Sequence, residues 1–205
     1  SGTGKSTLVN LLAGLLEPDC GEVMVDGVEV QGPGPQRGLV FQNYSLLPWL
    51  SVFRNVEMAV NEVFPYESKS QKHARVHEAI AQVNLTEASH KLPGELSGGM
   101  RQRTSVARTL SIKPSILLLD EPLSARDALT RSVVQDQILG IWKEERQTIL
   151  LITNDIDEAL YMADRIVPLG IGPSASLGAE TIVDLPRPRD RKRITSDPEI
   201  QETRN

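Results

Sequence analysis

Apolar residues along the chain fall into short continuous runs and into longer stretches with helical spacing. Two runs, 116–119 and 148–153, are partly β-branched and are typical of buried strands. Between them, the stretch Ala128–Glu145 repeats its apolar residues at helical spacing, namely Val134, Ile138, Ile141 and Trp142. A strand, a helix and a strand of this length predict that the two strands pair in parallel.

Shorter elements surround this unit. The sequence predicts, in chain order, a helix at 7–16, a hairpin over 22–30 that turns at Asp26 and Gly27, a short buried strand at 39–41 that ends at Gln42, a helix at 155–164 and a strand at 165–169. Each of these segments is bounded by turn-forming residues or by a change of period.

The long stretch 43–110 has a helical pattern, with Val76, Ile80 and Val83 on one face. We interpret it as a helical subdomain inserted into the parallel-sheet core. The core then comprises 1–42 and 111–170, and 171–205 is a loop-rich C-terminal extension. The whole chain is expected to form one domain, since 205 residues can bury a single core.

Composition narrows the classes of function. The chain is 40% hydrophobic and 24% charged, as in ordinary globular proteins. Its net charge of −5 gives no electrostatic support for nucleic-acid binding. The longest apolar runs are too short to span a bilayer. The single cysteine, Cys20, excludes an intrachain disulfide and fits a reducing compartment.

The chain opens with a glycine-rich segment made of Ser1, Gly2, Thr3, Gly4, Lys5, Ser6 and Thr7. It matches the end of the phosphate-binding loop G-x-x-x-x-G-K-[ST], and because the first glycine and the preceding strand are missing we expect an N-terminally truncated domain. In such a loop the backbone N–H groups cradle phosphate, Lys5 supplies positive charge, and Ser6 offers its hydroxyl to Mg²⁺. A chance Gly/Ser turn is the alternative interpretation.

Two acidic residues, Asp120 and Glu121, follow the apolar run at 116–119. Ligands of parallel α/β sheets bind at the carboxyl ends of the strands. Asp120 is therefore a candidate Mg²⁺ ligand, and Glu121 is a candidate general base that polarises an attacking water. The alternative is an acidic pair that only caps the next helix.

The segment LSGGMRQR, residues 96–103, is here called the signature segment. Ser97, Gly98 and Gly99 lead into a helical pattern, and a helix that begins in this way presents free backbone N–H groups to an anion. A plain glycine-rich helix cap is the alternative.

In this order, the phosphate loop, the signature segment and the acidic strand end resemble the nucleotide-binding subunit of ABC transporters. The resemblance covers essentially the whole chain. It implies an α/β, RecA-like P-loop NTPase core with the helical insertion and a small antiparallel β part, and an ATPase that uses ATP and Mg²⁺. It also implies a dimer with a second ATP-binding subunit, homologous or identical, in which Ser97, Gly98 and Gly99 cap the ATP of the opposing subunit.

The resemblance assigns three further positions. Gln42 senses Mg²⁺ and the attacking water, and so joins Ser6 and Asp120 at the metal. Asp127 belongs to the loop that crosses the dimer interface, where Arg126 replaces the usual apolar residue. Asn154 occupies the switch position, which normally holds a histidine.

No histidine can replace the one missing at the switch position, because His73, His77 and His90 all lie in the helical stretch. An asparagine amide can donate a hydrogen bond but is shorter than histidine and cannot titrate. We therefore expect ATP binding with slowed hydrolysis. Equally, the chain could be a degenerate subunit that pairs with an active one.

Outside these motifs, 34–50, 93–95 and 185–189 are similar to the nitrate/nitrite, bicarbonate and cyanate importer group and its taurine and sulfonate relatives. The resemblance implies permease partners in the membrane, indirect contact with a solute-binding protein, and a peripheral location at the cytoplasmic face of the inner membrane. Residues 44–49 are interpreted as an aromatic, apolar loop after Gln42. By resemblance this loop would form the groove for a permease helix, and the alternative is that it packs in the core. A soluble ABC ATPase of DNA repair or translation is a further alternative.

A basic segment and a pair of histidines are interpreted as surface features rather than as binding sites. The basic, proline-broken segment 187–193 is expected to be a solvated tail rather than a nucleic-acid patch. His73 and His77 are expected on a solvated helix face rather than at a metal site.

Overall fold

A computed structural model describes residues 3–122, 128–170, 172, 176–191 and 194. Its helices are α1 (Lys5–Ala13), α2 (Val52–Val63), α3 (Lys69–Gln82), α4 (Gly98–Leu110), α5 (Ala128–Glu145) and α6 (Ile156–Met162), with short 3₁₀ turns at Thr86–Ala88 and Pro93–Glu95. Its strands are β1 (Met24–Val25), β2 (Val28–Glu29), β3 (Arg37–Val40), β4 (Ile116–Asp120), β5 (Thr148–Ile152), β6 (Arg165–Ile166) and β7 (Thr181–Ile182).

The central sheet has the order β3–β4–β5, and both pairs of strands are parallel, as predicted. Helices cover both faces. Val9 and Ala13 of α1 pack with Leu118 on one face, while Leu117 and Leu119 join a larger core on the other face. Alternate residues of β4 therefore point into two cores, which is why this strand is apolar throughout until Asp120.

The helical subdomain consists of α2, α3 and α4, whose buried faces meet in the larger core. The predicted apolar face of α3 is confirmed, because Val76 and Ile80, and Val83 at the helix end, are at most 1% exposed. Helix α3 begins with a capping box in which Ser68 and Gln71 exchange hydrogen bonds.

The prediction that helical structure starts at residue 43 is wrong. Residues 43–51 form a loop, and α2 begins only at Val52, behind the N-cap Ser51. Tyr44 and Ser45 have positive φ angles of 62° and 45°, which a right-handed helix does not permit. The fully buried amide of Asn55 holds this loop from the first turns of α2.

Other boundaries differ by a few residues from those predicted. Helix α1 ends at Ala13 because Gly14 adopts a left-handed φ of 74° and caps the helix. The hairpin at Asp26 and Gly27 is confirmed as the antiparallel pair β1–β2. Strand β6 is shorter than expected and pairs antiparallel with β7.

The basic segment that was expected to be a solvated tail is instead docked on the domain over its described part. Arg187, Arg189 and Arg191 all bond to α5, to α6 or to the turn that follows α6. Their partners are mainly backbone carbonyls, which a hydropathy pattern does not reveal. That expectation is therefore wrong for residues 187–191.

His73 and His77 lie at the edge of the contact between α2 and α3. The imidazole Nε2 of His73 lies 3.1 Å from Oε1 of Glu57, and the rings of His73 and His77 both pack on Phe53. His77 is nevertheless exposed, as expected, and the side chain of His73 is half-buried against α2. Within the described part of the chain, no group of three or more His, Cys, Asp or Glu side chains is placed to hold a metal ion.

Cys20 is exposed on the surface, in the turn that precedes β1. None of the helices in the described residues combines the length and the apolar character that a bilayer crossing requires.

Candidate functional site

The carboxyl ends of the three central strands meet at one edge of the sheet. Gln42 follows β3 by two residues, Glu121 follows β4 directly, and Asn154 follows β5 by two residues. The strand register holds these ends level, since Val40 pairs with Leu119. The backbone N–H of Glu121 continues the ladder with a 3.0 Å hydrogen bond to the carbonyl of Ile152.

The carboxylate of Glu121 is the centre of this cluster. The Asn154 amide donates from Nδ2 to Oε1 of Glu121 at 2.7 Å, and Nε2 of Gln42 lies 3.4 Å from its Oε2. The Lys5 ammonium lies 3.8 Å from Oε1. The three predicted catalytic residues and the predicted phosphate-binding lysine are therefore brought together by four different segments.

The cluster is accessible from solvent. The side chains of Lys5 and Glu121 are 16% and 26% exposed, respectively. Glu121 adopts a left-handed φ of 44°, which is rare for a residue with a side chain and is found more often at functional sites than elsewhere.

Helix α1 begins beside this cluster with its amino end unprotected. Its N-cap, Gly4, has φ 84° and provides no side-chain cap, and the first turn contains no acidic residue. The first hydrogen bond of the helix runs from Leu8 N–H to the Gly4 carbonyl, so the N–H groups before it have no partner within the helix. Together with the Lys5 ammonium they form a site that attracts anions.

The remaining loop residues line the same entrance. The ammonium of Lys5 donates to Oγ1 of Thr3 at 3.1 Å, and Ser6 and Thr7 are exposed in the first turn of α1. Ser1 and Gly2 lie outside the described residues.

Oxygen donors for a hard cation are available at the same edge. The Asp120 carboxylate ends β4, the Gln42 amide follows β3, and the Ser6 hydroxyl stands in the first turn of α1. One carboxylate with two neutral oxygens is a donor set that suits Mg²⁺, which keeps several of its waters and the phosphate oxygens of a nucleotide as further ligands.

The signature segment begins helix α4, which like α1 has no acidic residue in its first turn. Ser97 is the N-cap and accepts from the Met100 N–H at 3.3 Å, while its side chain is exposed. A Cβ on Gly98 would meet no atom within 4 Å, so the backbone is open to an approaching group there. Among the contacts of the described residues, Ser97 makes none with Glu121 or its partners. Asp127 and Arg126 lie outside the described residues.

One residue near the site was not singled out in the sequence. Arg108 of α4 donates to the carbonyls of Ser45 at 2.6 Å and Tyr44 at 3.1 Å, and so fixes the left-handed turn that follows Gln42. Burial lowers the pKa of the Arg108 guanidinium from its ordinary value. No local signal could have revealed this contact, because it joins residues 63 positions apart.

Known proteins share both the sequence and the fold. Residues 1–124 match the family described as ABC transporter. The bicarbonate transport ATP-binding protein CmpD of Synechococcus elongatus is 48% identical over 205 residues, which is 100% of this chain and 74% of CmpD. The nitrate import ATP-binding protein NrtD of the same organism is 48% identical over 204 residues, with 100% of this chain and 74% of NrtD covered. The nitrate transport protein NasD of Klebsiella oxytoca is 48% identical, with 96% and 76% covered.

Among solved structures, a dimeric ATP-binding cassette in a post-hydrolysis state with ADP and Pi superposes with a TM-score of 0.76 and 29% identity. The match covers 88% of this chain and 81% of that structure. A dimeric bacterial ABC transporter cassette gives a TM-score of 0.71 at 30% identity, with 82% and 76% covered. The α/β P-loop NTPase fold is thereby confirmed, and the chain belongs to the ABC transporter family, among its ATP-binding subunits.

Proposed function

We propose that this chain is the ATP-binding subunit of an importer for a small anion of the nitrate or bicarbonate type, and that it couples ATP binding and hydrolysis to transport. The observation that carries this proposal is the cluster of Lys5, Gln42 and Asn154 around Glu121, at the carboxyl edge of a parallel sheet. Relatives named for nitrate and bicarbonate transport, 48% identical over nearly the whole chain, support the class of solute.

In this proposal each loop residue has a distinct task. The free N–H groups at the start of α1 and the ammonium of Lys5 bind the phosphates, with Thr3, Gly4 and Thr7 completing the loop. Ser6, Gln42 and Asp120 would hold Mg²⁺, which neutralises phosphate charge when bound. Phosphoryl transfer depends mainly on this alignment and charge stabilisation.

Glu121 is the proposed general base for the attacking water. Asn154 donates to one of its oxygens and Gln42 approaches the other, so both amides orient the carboxylate. An amide cannot accept or release a proton at neutral pH, and residue 154 therefore acts through orientation alone. We expect slower turnover than a histidine at this position would give.

A second subunit completes the site in this proposal. Ser97 is exposed and Gly98 faces open space at the start of α4, and Ser97 has no contact with the Glu121 cluster among the described residues. A segment that serves the opposing subunit needs such an accessible start, and Gly99 follows as a buried residue of the same turn. The dimeric cassettes among the similar structures support this arrangement, in which Asp127 would lie at the interface.

Permease subunits at the cytoplasmic face of the membrane are the remaining proposed partners. The loop at 43–51 is the proposed contact, because it follows Gln42 directly and carries Trp49 with 70% of its surface exposed. A large aromatic side chain in contact with water is a common mark of a protein interface.

A degenerate subunit that binds ATP but hardly hydrolyses it is the second candidate function, and Asn154 is the observation that favours it. To distinguish the two, we would reconstitute the full-length protein with its permease and compare ATP turnover of the wild type, Asn154→His, and the control Asn61→His on the exposed end of α2. Measurable turnover that rises several-fold only in Asn154→His supports the first candidate. Equal turnover in all three proteins contradicts the role given to residue 154.

A further inference from the structure

Helix α6 begins two residues after Asn154 of the candidate site, and an arginine binds its carboxyl end. The side chain of Arg189 is only 3% exposed. Its Nη1 donates to the carbonyls of Leu160 at 2.9 Å, Tyr161 at 3.3 Å and Ala163 at 2.6 Å. The last carbonyls of a helix lack hydrogen-bond donors within the helix, and the Arg189 guanidinium donates to three such carbonyls at the end of α6.

A second arginine completes the same cap. Nη2 of Arg187 donates to the carbonyl of Met162 at 2.6 Å and to Oδ1 of Asp164 at 2.8 Å. Its guanidinium also lies over the ring of Trp142 in α5, 4.6 Å from the centroid. The carbonyls of residues 160–163 thus all accept hydrogen bonds from Arg187 or Arg189. We call these two arginines the arginine clamp.

The opposite end of α6 is joined to the catalytic cluster. Oδ1 of Asp155 caps the helix by accepting from the N–H groups of Asp157 at 3.0 Å and Glu158 at 3.2 Å. The residue immediately before this cap is Asn154, whose amide bonds to Glu121 at 2.7 Å. The amide that contacts Glu121 is therefore one residue away from the cap of α6.

The length of α6 makes its position dependent on such contacts. It has only seven residues, which is too few to be stable as an isolated helix in water. Arg191 adds a further link, because it bonds to the amide oxygen of Gln135 in α5, and Nε2 of Gln135 donates to Oε1 of the buried Glu158 at 3.0 Å. Helix α6 is accordingly fixed at its carboxyl end, at its middle and at its amino cap.

We propose that Arg187 and Arg189 are positioning residues for ATP hydrolysis, which act by holding α6 so that Asn154 stays in contact with Glu121. This inference rests on the role proposed above for Asn154. It gives the segment 185–189 a task in catalysis, although none of its residues touches the candidate site.

A double-mutant cycle on the full-length protein with its permease tests the inference. ATP turnover and nucleotide affinity are measured for Arg189→Gln, Asn154→Ala and the double variant. Each single variant should lower kcat by about fivefold, with KM for ATP little changed because the phosphate loop is untouched. The double variant should be no slower than the slower single variant, because both changes disrupt the same contact, that between Asn154 and Glu121.

Arg165→Gln is the matched control. Arg165 lies in the same part of the chain and pairs with Glu180 at 3.0 Å, but its side chain is 70% exposed, and among the described residues no hydrogen bond or ion pair joins it to α6. Its kcat should equal that of the wild type. If Arg189→Gln does not fold, Arg187→Gln replaces it in the cycle. The Arg187 side chain is 24% exposed, and its substitution removes the contacts with Met162, Asp164 and the Trp142 ring.

The possible failures are distinguishable. Losses in kcat that multiply in the double variant show that the clamp acts independently of Asn154, and they overturn the inference while the proposed function stands. An unchanged kcat in Asn154→Ala overturns the role of Asn154 and the inference together. A loss of nucleotide affinity in Arg189→Gln equal to its loss of kcat indicates general damage and likewise overturns the inference.

Discussion

At the scale of single residues, the candidate site is organised around one carboxylate. Glu121 has a left-handed backbone, which costs about 1–2 kcal/mol for a residue with a side chain. The strand hydrogen bond to Ile152 and the contacts from Asn154, Gln42 and Lys5 hold it in that conformation. Such a residue has its carboxylate fixed before a substrate arrives, as a general base requires.

Glu121→Gln is expected to lower ATP turnover by about 10²-fold or more, because the amide cannot take a proton from water. Nucleotide affinity should stay within a few-fold of the wild type, since Gln keeps the size of Glu and leaves Lys5 unpaired. Phosphate release and nucleotide titration measure the two effects. Glu180→Gln, which affects only a surface pair, is the control. Wild-type turnover in Glu121→Gln would exclude Glu121 as the base.

At the scale of elements, hydrogen bonds between distant segments determine the conformation of the loop at 43–51, which the local sequence pattern does not specify. The loop at 43–51 is fastened from two helices, by Arg108 of α4 and by Asn55 of α2. Asn55 accepts from the Leu47 N–H at 2.9 Å and donates to the carbonyls of Leu47, Leu50 and Ser51. This fully buried amide replaces the backbone hydrogen bonds that a helix would have provided.

Asn55→Ala should destabilise the protein by about 1–3 kcal/mol, because it leaves the part-buried Leu47 N–H and Leu50 carbonyl without their hydrogen-bond partner. Thermal or denaturant unfolding measures the loss. The matched control is Asn61→Ala, an exposed position on the same helix, for which the change should be within about 0.5 kcal/mol. If both variants unfold alike, the amide does not hold the loop.

Glu158 of α6 makes the stability of the folded protein depend on pH. Burial raises the pKa of its carboxyl, against the opposing effect of hydrogen bonds from Thr153 and Gln135. As the pH rises above the ordinary pKa of a glutamate, the unfolded chain releases this proton before the folded one. The contribution of Glu158 to stability therefore falls as the pH rises through the interval from the ordinary pKa of a glutamate to the raised pKa in the folded protein.

Glu158→Gln should remove this loss, since Gln can still accept from Gln135 and carries no charge. The stability of the variant relative to the wild type should rise as the pH increases through the interval and should be constant below the ordinary pKa of a glutamate. Denaturant unfolding over a pH series measures the difference. A difference that does not vary with pH would show that Glu158 titrates normally.

At the scale of the whole molecule, the parallel sheet explains why residues predicted on different grounds lie together. The strand end predicted Glu121, whereas the family resemblance assigned Gln42 and Asn154. All three follow parallel strands, which end at the same edge of the sheet. Arg108 and Arg189 could not be found in this way. Arg108 bonds to carbonyls 63 and 64 positions away, and the carbonyls at the end of α6 lie 26 to 29 positions from Arg189. Every residue has a backbone carbonyl, so the sequence does not mark these partners.

The helical insertion illustrates the same limit. The buried face of α3 was evident from the spacing of Val76, Ile80 and Val83. The loop at 44–49 was predicted by resemblance, whereas the helical pattern assigned from residue 43 did not exclude this segment. In the structure the positive φ angles of Tyr44 and Ser45 interrupt a helix there, and α2 begins only after Ser51. Those angles are stabilised by Arg108, a tertiary contact that local propensity does not include.

The 3.8 Å ion pair between Lys5 and Glu121 has a consequence for the order of events. In the proposed mechanism each partner of this pair has a second task, Lys5 at a phosphate and Glu121 at a water. A bound phosphate would compete with the Glu121 carboxylate for the Lys5 ammonium, because both anions would face the same cation. Under that proposal, phosphate binding would weaken the ion pair and leave the carboxylate to orient and activate a water.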